Sequence, residues 1–132
     1  MSSRKGAVVL IVDDDPEILR SYARLLKSRL EGGVVVLKAL SAYEGLKFLS
    51  RNNVDLILAD YRMPEMDGIE FLAEARRLNP RIRRVIFTAY TEPELLRRAS
   101  AEALVDDFVR KDVDGAELLA RVQRLLAMPS KR

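Results

Sequence analysis

Two apolar runs in this 132-residue sequence end abruptly in aspartates. Val8–Val12 leads directly into Asp13, Asp14 and Asp15, and a later run ends in Asp60. Clustered carboxylates repel one another and resist ionisation unless a cation lies among them. An acidic site with oxygen ligands alone suits a hard ion such as Mg²⁺. These aspartates therefore predict a magnesium site, provided that the fold brings the two run ends together.

Two other apolar runs end in groups that suit phosphate chemistry. Thr88 follows one run, and Lys111 lies just beyond another. A metal ion, an ammonium group and a hydroxyl that face one point are what an incoming phosphoryl group requires. A carboxylate can itself act as the nucleophile and form an acyl phosphate. Asp60 is the best placed candidate, because it ends the middle run of five.

Residue types that are missing exclude several other functions. The chain has no cysteine and no histidine, which excludes disulfides, thiolate nucleophiles, metal sites built on thiolates or imidazoles, and Ser-His triads. Its 23 basic and 20 acidic residues give a net charge of only +3, far from the basic excess of a dedicated nucleic-acid binder. No apolar run approaches the roughly 20 residues of a membrane span, and the N-terminal segment is too short for a signal peptide. We therefore expect a cytoplasmic protein.

Alternating strands and helices must position these groups. Five short apolar runs, separated by stretches with helical periodicity, predict strands. The predicted strands are Ala7–Val12, Val34–Leu37, Asp55–Ala59, Arg84–Phe87 and Asp107–Val109. This alternation is typical of an α/β fold, a parallel sheet with helices on both faces, in which ligands bind at the carboxyl ends of the strands. We expect one globular domain at residues 7–127, a flexible N-terminus at 1–6 and a C-terminal tail at 128–132.

Helix starts are marked by capping residues. Four pairs have the spacing of a capping box: Ser41/Glu44, Asp67/Glu70, Thr91/Glu94 and Asp114/Glu117. The first helix starts differently, with Asp15 as the expected N-cap and Pro16 at the first helical position. Asp15 is therefore assigned to the helix, which leaves Asp13 and Asp14 for the metal.

These features together resemble the receiver domain of two-component response regulators, of the chemotaxis-regulator type. The similarity covers about residues 7–127. Its most specific segments are Val9–Pro16 and Asp55–Gly68, in which Asp60 precedes the run Met-Pro-x-Met-Asp-Gly. The resemblance implies a doubly wound, five-stranded parallel sheet with the flavodoxin-like order 2-1-3-4-5. It also implies that Asp60 accepts a phosphoryl group from the phosphohistidine of a partner kinase.

The resemblance assigns a metal role to four positions. Asp14 would bind Mg²⁺ directly, and Asp13 would assist through the metal or its waters. Asp60 and the backbone carbonyl of Arg62 would complete the protein ligands.

The remaining roles concern the phosphoryl group and a conformational switch. Lys111 and Thr88 would contact phosphoryl oxygens. Thr88 would then move toward the phosphate and let Phe108 turn inward. This movement would alter the surface of the fourth helix, fifth strand and fifth helix, the α4-β5-α5 surface of the family, which meets a downstream protein or output domain.

The absence of histidine indicates which kind of molecule donates the phosphoryl group. The chain cannot supply its own phosphohistidine, so the donor must be a sensor histidine kinase, a phosphotransfer protein or a small acyl phosphate. The expected protein is a signalling domain and not an enzyme, since it catalyses only its own Mg²⁺-dependent phosphorylation and dephosphorylation. No direct nucleic-acid or membrane contact is expected, and a homodimer that forms on phosphorylation is compatible with this interpretation.

Departures from the family pattern identify three candidate modulators. Asp112 follows Lys111 where the family usually has proline, often in cis, so we expect either a trans bond with a reshaped loop or a strained cis bond costing about 2.5–4 kcal/mol. Arg62 and Tyr90 follow Asp60 and Thr88 by two positions and would either shield the phosphoryl group from water or extend into solvent.

The same choice applies to three further cations, Arg97, Arg98 and Arg110, which lie near the expected partner surface. They would either guide partner choice electrostatically or simply be solvated.

Two alternative functions stay open. One is a degenerate receiver that acts as a binding module without phosphorylation, although the presence of Asp60, Thr88 and Lys111 argues against it. The other is a small aspartyl-phosphate hydrolase. Such enzymes ordinarily need a second acid where this chain has Arg62, and a larger cap region.

Overall fold

The computed structural model describes residues 6–30, 32–89, 95, 97, 98 and 104–129. Five strands occur in these ranges: β1 (Ala7–Val12), β2 (Val34–Ala39), β3 (Leu56–Ala59), β4 (Arg83–Thr88) and β5 (Asp107–Arg110). The helices of the same ranges are α1 (Pro16–Arg29), α2 (Ala42–Arg51), α3 (Gly68–Leu78) and the C-terminal helix (Gly115–Ala127). The predicted fourth helix, with its Thr91/Glu94 pair, lies largely outside the described residues, of which Leu95, Arg97 and Arg98 have helical backbone.

The strands form one parallel sheet in the order β2-β1-β3-β4-β5, which confirms the predicted fold. Val12 pairs with Ala59, so β1 and β3 end at the same level. Backbone bonds extend this alignment by one residue, because Asp60 N–H donates to the Val12 carbonyl at 2.9 Å. The register thus brings the residues that follow β1 and β3 side by side.

Both faces of the sheet are covered, as continuous apolar strands require. Leu10 and Val12 belong to a core cluster that includes α2 and α3 residues, whereas Val9 and Ile11 belong to a cluster with α1 and the C-terminal helix. Because β1 is buried on both sides, its side chains fix the sheet rigidly beneath the strand ends.

The helix starts follow the predicted caps. The Ser41, Asp67 and Asp114 side chains accept the N–H groups of Glu44, Glu70 and Glu117 at 3.1, 2.9 and 2.9 Å. The reciprocal bond of a full capping box is present at Asp67, whose N–H donates to Glu70 at 2.9 Å. The Glu44 carboxylate accepts the Leu40 N–H instead, and that of Glu117 pairs with Arg121. Asp15 caps α1 by accepting the Glu17 N–H at 2.9 Å, with Pro16 as the first helical residue.

β1 has the predicted limits, and those of the other four strands differ from the prediction by one or two residues. β3 begins at Leu56, one residue later than predicted, and the carboxylate of the preceding Asp55 accepts the Val8 N–H at 2.8 Å. β4 includes both Arg83 and Thr88, whose side chains are buried despite their polarity. Among the described helices, none is long and apolar enough to cross a membrane.

Candidate functional site

The ends of β1, β3, β4 and β5 gather five polar residues at one edge of the sheet. Asp13 and Asp60 are only 1% and 7% exposed, and Thr88 is also buried. Lys111 is partly buried, whereas Asp14 is exposed. The site therefore has a buried floor and an open side through which a ligand can enter.

Lys111 lies between two of the carboxylates. Its Nζ is 2.6 Å from Asp13 Oδ2 and 3.4 Å from Asp60 Oδ1. The backbone N–H of Lys111 donates to the Thr88 carbonyl at 2.8 Å, and the backbone carbonyl of Lys111 accepts the Tyr22 hydroxyl at 3.3 Å. The Tyr22 ring is itself held edge-on against Phe87, 4.7 Å between centroids. Lys111 is thus fixed by its backbone while its ammonium group reaches the acidic cluster.

The loop after Lys111 takes the trans alternative. No cis peptide bond occurs between described residues, and Lys111 and Asp112 are both described. The Asp112 carboxylate pairs with the Arg110 guanidinium at 2.9 and 3.2 Å, and Val113 N–H closes a turn onto the Arg110 carbonyl at 3.0 Å. The departure from proline therefore leaves the Lys111 side chain directed into the site.

The acidic residues are spaced for one small cation. One carboxylate oxygen from each of Asp13, Asp14 and Asp60 lies within 4.8 Å of the others. A six-coordinate Mg²⁺ holds oxygens at about 2.0–2.1 Å and keeps several waters, so a few carboxylates at this spacing suit it. The donor set is entirely oxygen, and it is neutralised only in part by Lys111. The residues present thus fit a hard divalent cation.

Burial and charge shift the protonation of the site. Burial, followed by the adjacent Asp13 carboxylate, raises the pKa of Asp60 to about 6, although Lys111 acts in the opposite direction. Burial alone would lower the pKa of Lys111, but its contacts with Asp13 and Asp60 outweigh burial and raise that pKa above the usual value. At neutral pH the site therefore contains an ionised Asp60 held next to a firmly protonated ammonium group.

The three consecutive aspartates separate into different environments. One Asp13 carboxylate oxygen accepts the Asp15 N–H at 3.0 Å, while the other faces Lys111. Asp15 is engaged in capping α1. Asp13 and Asp14 contribute to the acidic group with Asp60, and Asp15 does not belong to that group.

The loop after Asp60 is tightly folded. Gly68 N–H donates to the Tyr61 carbonyl at 2.8 Å, and a Cβ on Gly68 would lie 2.4 Å from the Asp60 carbonyl oxygen. Within the loop Met66 N–H donates to the Pro64 carbonyl at 2.7 Å across Glu65, whose φ is +73°. A three-residue turn with positive φ is strained for a residue with a side chain. Because a Cβ at residue 68 would clash with the Asp60 carbonyl oxygen, the loop can fold this closely only with glycine at that position.

The candidate switch and modulator residues have mixed surroundings. Phe108 is partly buried and packs against the core cluster on the α3 side of the sheet. The Arg62 guanidinium lies 5.9 Å from the centre of the Tyr61 ring, a cation–π distance. Tyr90 lies outside the described residues.

Sequence reasoning missed the contacts of Tyr61 and Arg98. Arg98 Nη1 donates to the Tyr61 hydroxyl at 3.2 Å and to Asp67 Oδ2 at 2.9 Å. Arg98 was expected either to guide partners or to be solvated, and its guanidinium instead faces the loop after Asp60. Arg98 and Asp67 are 31 positions apart, so no local spacing could have signalled this pair.

Residues 9–123 match the family described as the response regulator receiver domain. The transcriptional regulatory protein GlrR of Escherichia coli K12 is 42% identical over 88 residues, which are 67% of this chain and 19% of GlrR. The hydrogenase transcriptional regulatory protein HoxA of Cupriavidus necator is 39% identical over 92 residues, 70% of this chain and 18% of HoxA. The chain thus spans about a fifth of the length of these relatives.

Solved structures agree with these relatives. A CheY-like response regulator receiver domain protein from Methanospirillum hungatei has a TM-score of 0.85 and 31% identity, covering 92% of this chain and 94% of its own. The response regulator TrrA of Thermotoga maritima, in complex with Mg(2+)-BeF, has a TM-score of 0.77 and 28% identity, covering 90% of this chain and 98% of its own.

Proposed function

This chain belongs to the family of response regulator receiver domains, and we therefore propose that it accepts a phosphoryl group on Asp60. The observation that carries the proposal is the position of the Lys111 ammonium group, 2.6 Å from Asp13 and 3.4 Å from Asp60. A fixed cation beside a buried carboxylate can stabilise the charge that develops on a transferring phosphoryl group. Receiver domains are signalling domains, so the phosphorylated protein would itself be the signal.

The proposed reaction uses Asp60 as the nucleophile. A carboxylate oxygen attacks phosphorus, the new P–O bond forms an acyl phosphate, and the P–N bond to the donor's histidine breaks with its electron pair leaving on the imidazole. Asp60 must be ionised for this attack, which a pKa of about 6 allows at neutral pH. Lys111 and Thr88 would contact the phosphoryl oxygens.

Mg²⁺ is the cofactor that the acidic group suits. We assign Asp14 and Asp60 as direct ligands together with the Arg62 backbone carbonyl, and Asp13 as a ligand or as the partner of metal-bound waters. When bound, the ion would neutralise charge on the transferring phosphoryl oxygens. The structure of TrrA, to which this chain is similar, is a complex with Mg(2+)-BeF, which supports Mg²⁺ as the ion.

The output would pass through the switch residues. Thr88 would move toward the phosphoryl group and Phe108 would turn inward, which changes the surface formed by β5, the C-terminal helix and the chain after β4. A histidine kinase or phosphotransfer protein would be the donor, and a downstream protein or output domain would read this surface. We retain residues 7–127 as the domain and the cytoplasm as its location; homodimer formation on phosphorylation also stays a prediction.

The direct test is to incubate the protein with Mg²⁺ and acetyl phosphate, or with the beryllofluoride mimic. With acetyl phosphate we expect a mass increase of one phosphoryl group, and with beryllofluoride a spectral change; both should require Mg²⁺ and be absent in Asp60→Asn. A folded protein that shows neither modification nor a spectral response would contradict the proposal and support the phosphorylation-independent binding module.

A matched pair of variants tests how the consecutive aspartates are divided. Asp14→Asn should weaken Mg²⁺ binding by about tenfold or more, since it removes a ligand charge. Asp15→Asn should stay within about twofold of the native protein, because asparagine caps helices as well as aspartate does. Equal losses in the two variants, measured by Mg²⁺ titration, would show that the division is wrong.

A further inference from the structure

Arg98 makes a bridging contact on the side of the Asp60 loop that faces the chain after β4. Its Nη1 donates to Asp67 Oδ2 at 2.9 Å and to the Tyr61 hydroxyl at 3.2 Å. The Arg98 and Asp67 side chains are 30% and 27% exposed, and Tyr61 is 8% exposed. The contact is thus sheltered from water on several sides, unlike an ordinary surface ion pair, which contributes little.

The two acceptors are the first and last residues of the loop that follows Asp60. Tyr61 is bonded covalently to Asp60, and Asp67 immediately precedes Gly68, which packs directly against the Asp60 carbonyl. The Gly68 N–H bond to the Tyr61 carbonyl, at 2.8 Å, joins the same two ends through the backbone. Arg98 therefore adds a side-chain bridge over a loop closure that already exists in the main chain.

Both oxygens of the Asp67 carboxylate accept hydrogen bonds. Oδ1 accepts the Glu70 N–H at 2.9 Å and starts α3, while Oδ2 accepts from Arg98. A carboxylate that bonds to both a helix N-terminus and a guanidinium is held in one orientation. The start of α3 and the Arg98 segment are consequently fixed to each other through this one side chain.

We propose that Arg98 is a positioning residue that clamps Tyr61 to Asp67 and thereby holds the backbone of Asp60 and Arg62 in place for the cation and the phosphoryl group. The clamp consists of Arg98, the Tyr61 hydroxyl and Asp67 Oδ2. Its relevance to the cation and the phosphoryl group rests on the proposed function, but the clamp itself is a property of the folded chain without ligands.

The first experiment needs no metal and no phosphoryl donor. In Arg98→Met, amide hydrogen exchange at Gly68 should be about tenfold faster than in the native protein, because the loop loses its charge-assisted closure and opens more often. Arg98→Lys retains the charge but not the planar guanidinium fork, so its exchange rate should be intermediate. Arg77→Met, which removes an exposed arginine at the far end of α3, is the control and should leave Gly68 exchange unchanged.

The second experiment asks whether the clamp acts through its two partners. Asp67→Asn retains a capping side chain and Tyr61→Phe retains the ring, so the combined variant removes the acceptor charge and the hydroxyl while α3 and the core stay intact. Adding Arg98→Met to this variant should produce no further change in Gly68 exchange. Mg²⁺ affinity should fall by about three- to tenfold in Arg98→Met, at or below the lower end of the range for residues that support metal ligands.

The outcomes separate the clamp from the proposed function. Unchanged Gly68 exchange in a folded Arg98→Met protein would overturn the clamp, as would a full additional effect in the Tyr61/Asp67 background. A native protein that fails to respond to acetyl phosphate would contradict the phosphoacceptor role while leaving the exchange result unaffected. Faster exchange with unaltered Mg²⁺ affinity would overturn the positioning role of Arg98.

Discussion

At the scale of single residues, the ionisation of Asp60 couples the site to the stability of the protein. Burial and the Asp13 carboxylate raise the pKa of Asp60 to about 6 against the opposing effect of Lys111. In the unfolded chain an aspartate has a pKa of about 3.9. Between these values the folded state binds the proton more tightly, so the free energy of unfolding falls as the pH rises from about 4 to about 6. Above pH 6 Asp60 is ionised in the folded and the unfolded state, and the metal-free protein then has the whole loss of unfolding free energy that the raised pKa causes.

Asp60→Asn should remove this penalty. We expect the variant to be more stable than the native protein by about 1–3 kcal/mol at pH 7 without metal, and by close to nothing from this source at pH 4. Urea unfolding at the two pH values in the presence of a chelator measures the difference. Mg²⁺ should shrink the gain at pH 7, because it favours the ionised carboxylate of the native protein. An equal gain at both pH values would contradict the raised pKa.

At the scale of elements, two helices begin in the same way but in different surroundings. α3 and the C-terminal helix both start with glycine after a capping aspartate, at Asp67-Gly68 and Asp114-Gly115. A Cβ on Gly68 would lie 2.4 Å from the Asp60 carbonyl oxygen, a main-chain atom that cannot rotate away. A Cβ on Gly115 would meet only the Leu25 side chain, at 3.4 Å. The glycine of α3 is therefore required by the site, whereas that of the C-terminal helix is not.

The two glycine positions give a matched pair of substitutions. Gly68→Ala should destabilise the protein by roughly 1–3 kcal/mol and weaken Mg²⁺ binding, because the Asp60 backbone must move. Gly115→Ala should be neutral or stabilising by up to about 1 kcal/mol, since alanine reduces the entropy of the unfolded chain. Chemical denaturation and Mg²⁺ titration of both variants measure these effects. Similar behaviour of the two would show that the approach of Gly68 to Asp60 has no consequence.

At the scale of the whole molecule, β4 runs between the amino-terminal and carboxyl-terminal ends of the sheet strands. Thr88 ends it at the site, and Arg83 begins it at the opposite edge. The buried Arg83 guanidinium donates to the Leu125 carbonyl at 3.2 Å, to the Met128 carbonyl at 2.8 Å and also to the Pro129 carbonyl. The Leu125 carbonyl also accepts the Met128 N–H at 3.3 Å, so Arg83 adds a second donor at the end of the C-terminal helix and binds two carbonyls that lie just beyond it. Arg83 therefore anchors the last helix to the sheet and fixes the path of the chain beyond it.

Arg83→Met should lower the stability of the protein without affecting Mg²⁺ binding at the site. Loss of the guanidinium removes its hydrogen bonds to the Leu125, Met128 and Pro129 carbonyls, so we expect a destabilisation of about 1–3 kcal/mol. Mg²⁺ affinity should stay within about twofold, because the change lies at the far end of β4. Arg81→Met, two residues earlier and exposed, is the control for loss of charge. An equal loss of stability in both variants would show that the helix-end contacts contribute nothing.

The family was predictable because it depends on local patterns, and the sheet order followed from the resemblance to that family. Apolar runs, capping pairs at fixed spacing and the segment after Asp60 each occupy a few consecutive residues. Parallel topology then places all strand ends at one edge, which is why Asp13, Asp60, Thr88 and Lys111 could be named together before their distances were known. The first helix also begins where Asp15 and Pro16 predict.

The sequence by itself determined the α/β fold, the family and the residue types available at the site. The tertiary structure alone decided that Lys111 reaches Asp13 despite Asp112, that Arg83 anchors the last helix and that Arg98 turns to the Asp60 loop. The physical reason is that the partners of a long cationic side chain depend on which groups the folded chain places within its reach, and not on their separation in the sequence. Arg98 is 31 positions from Asp67, and Arg83 is 45 from Met128, so only the folded chain brings donor and acceptor together.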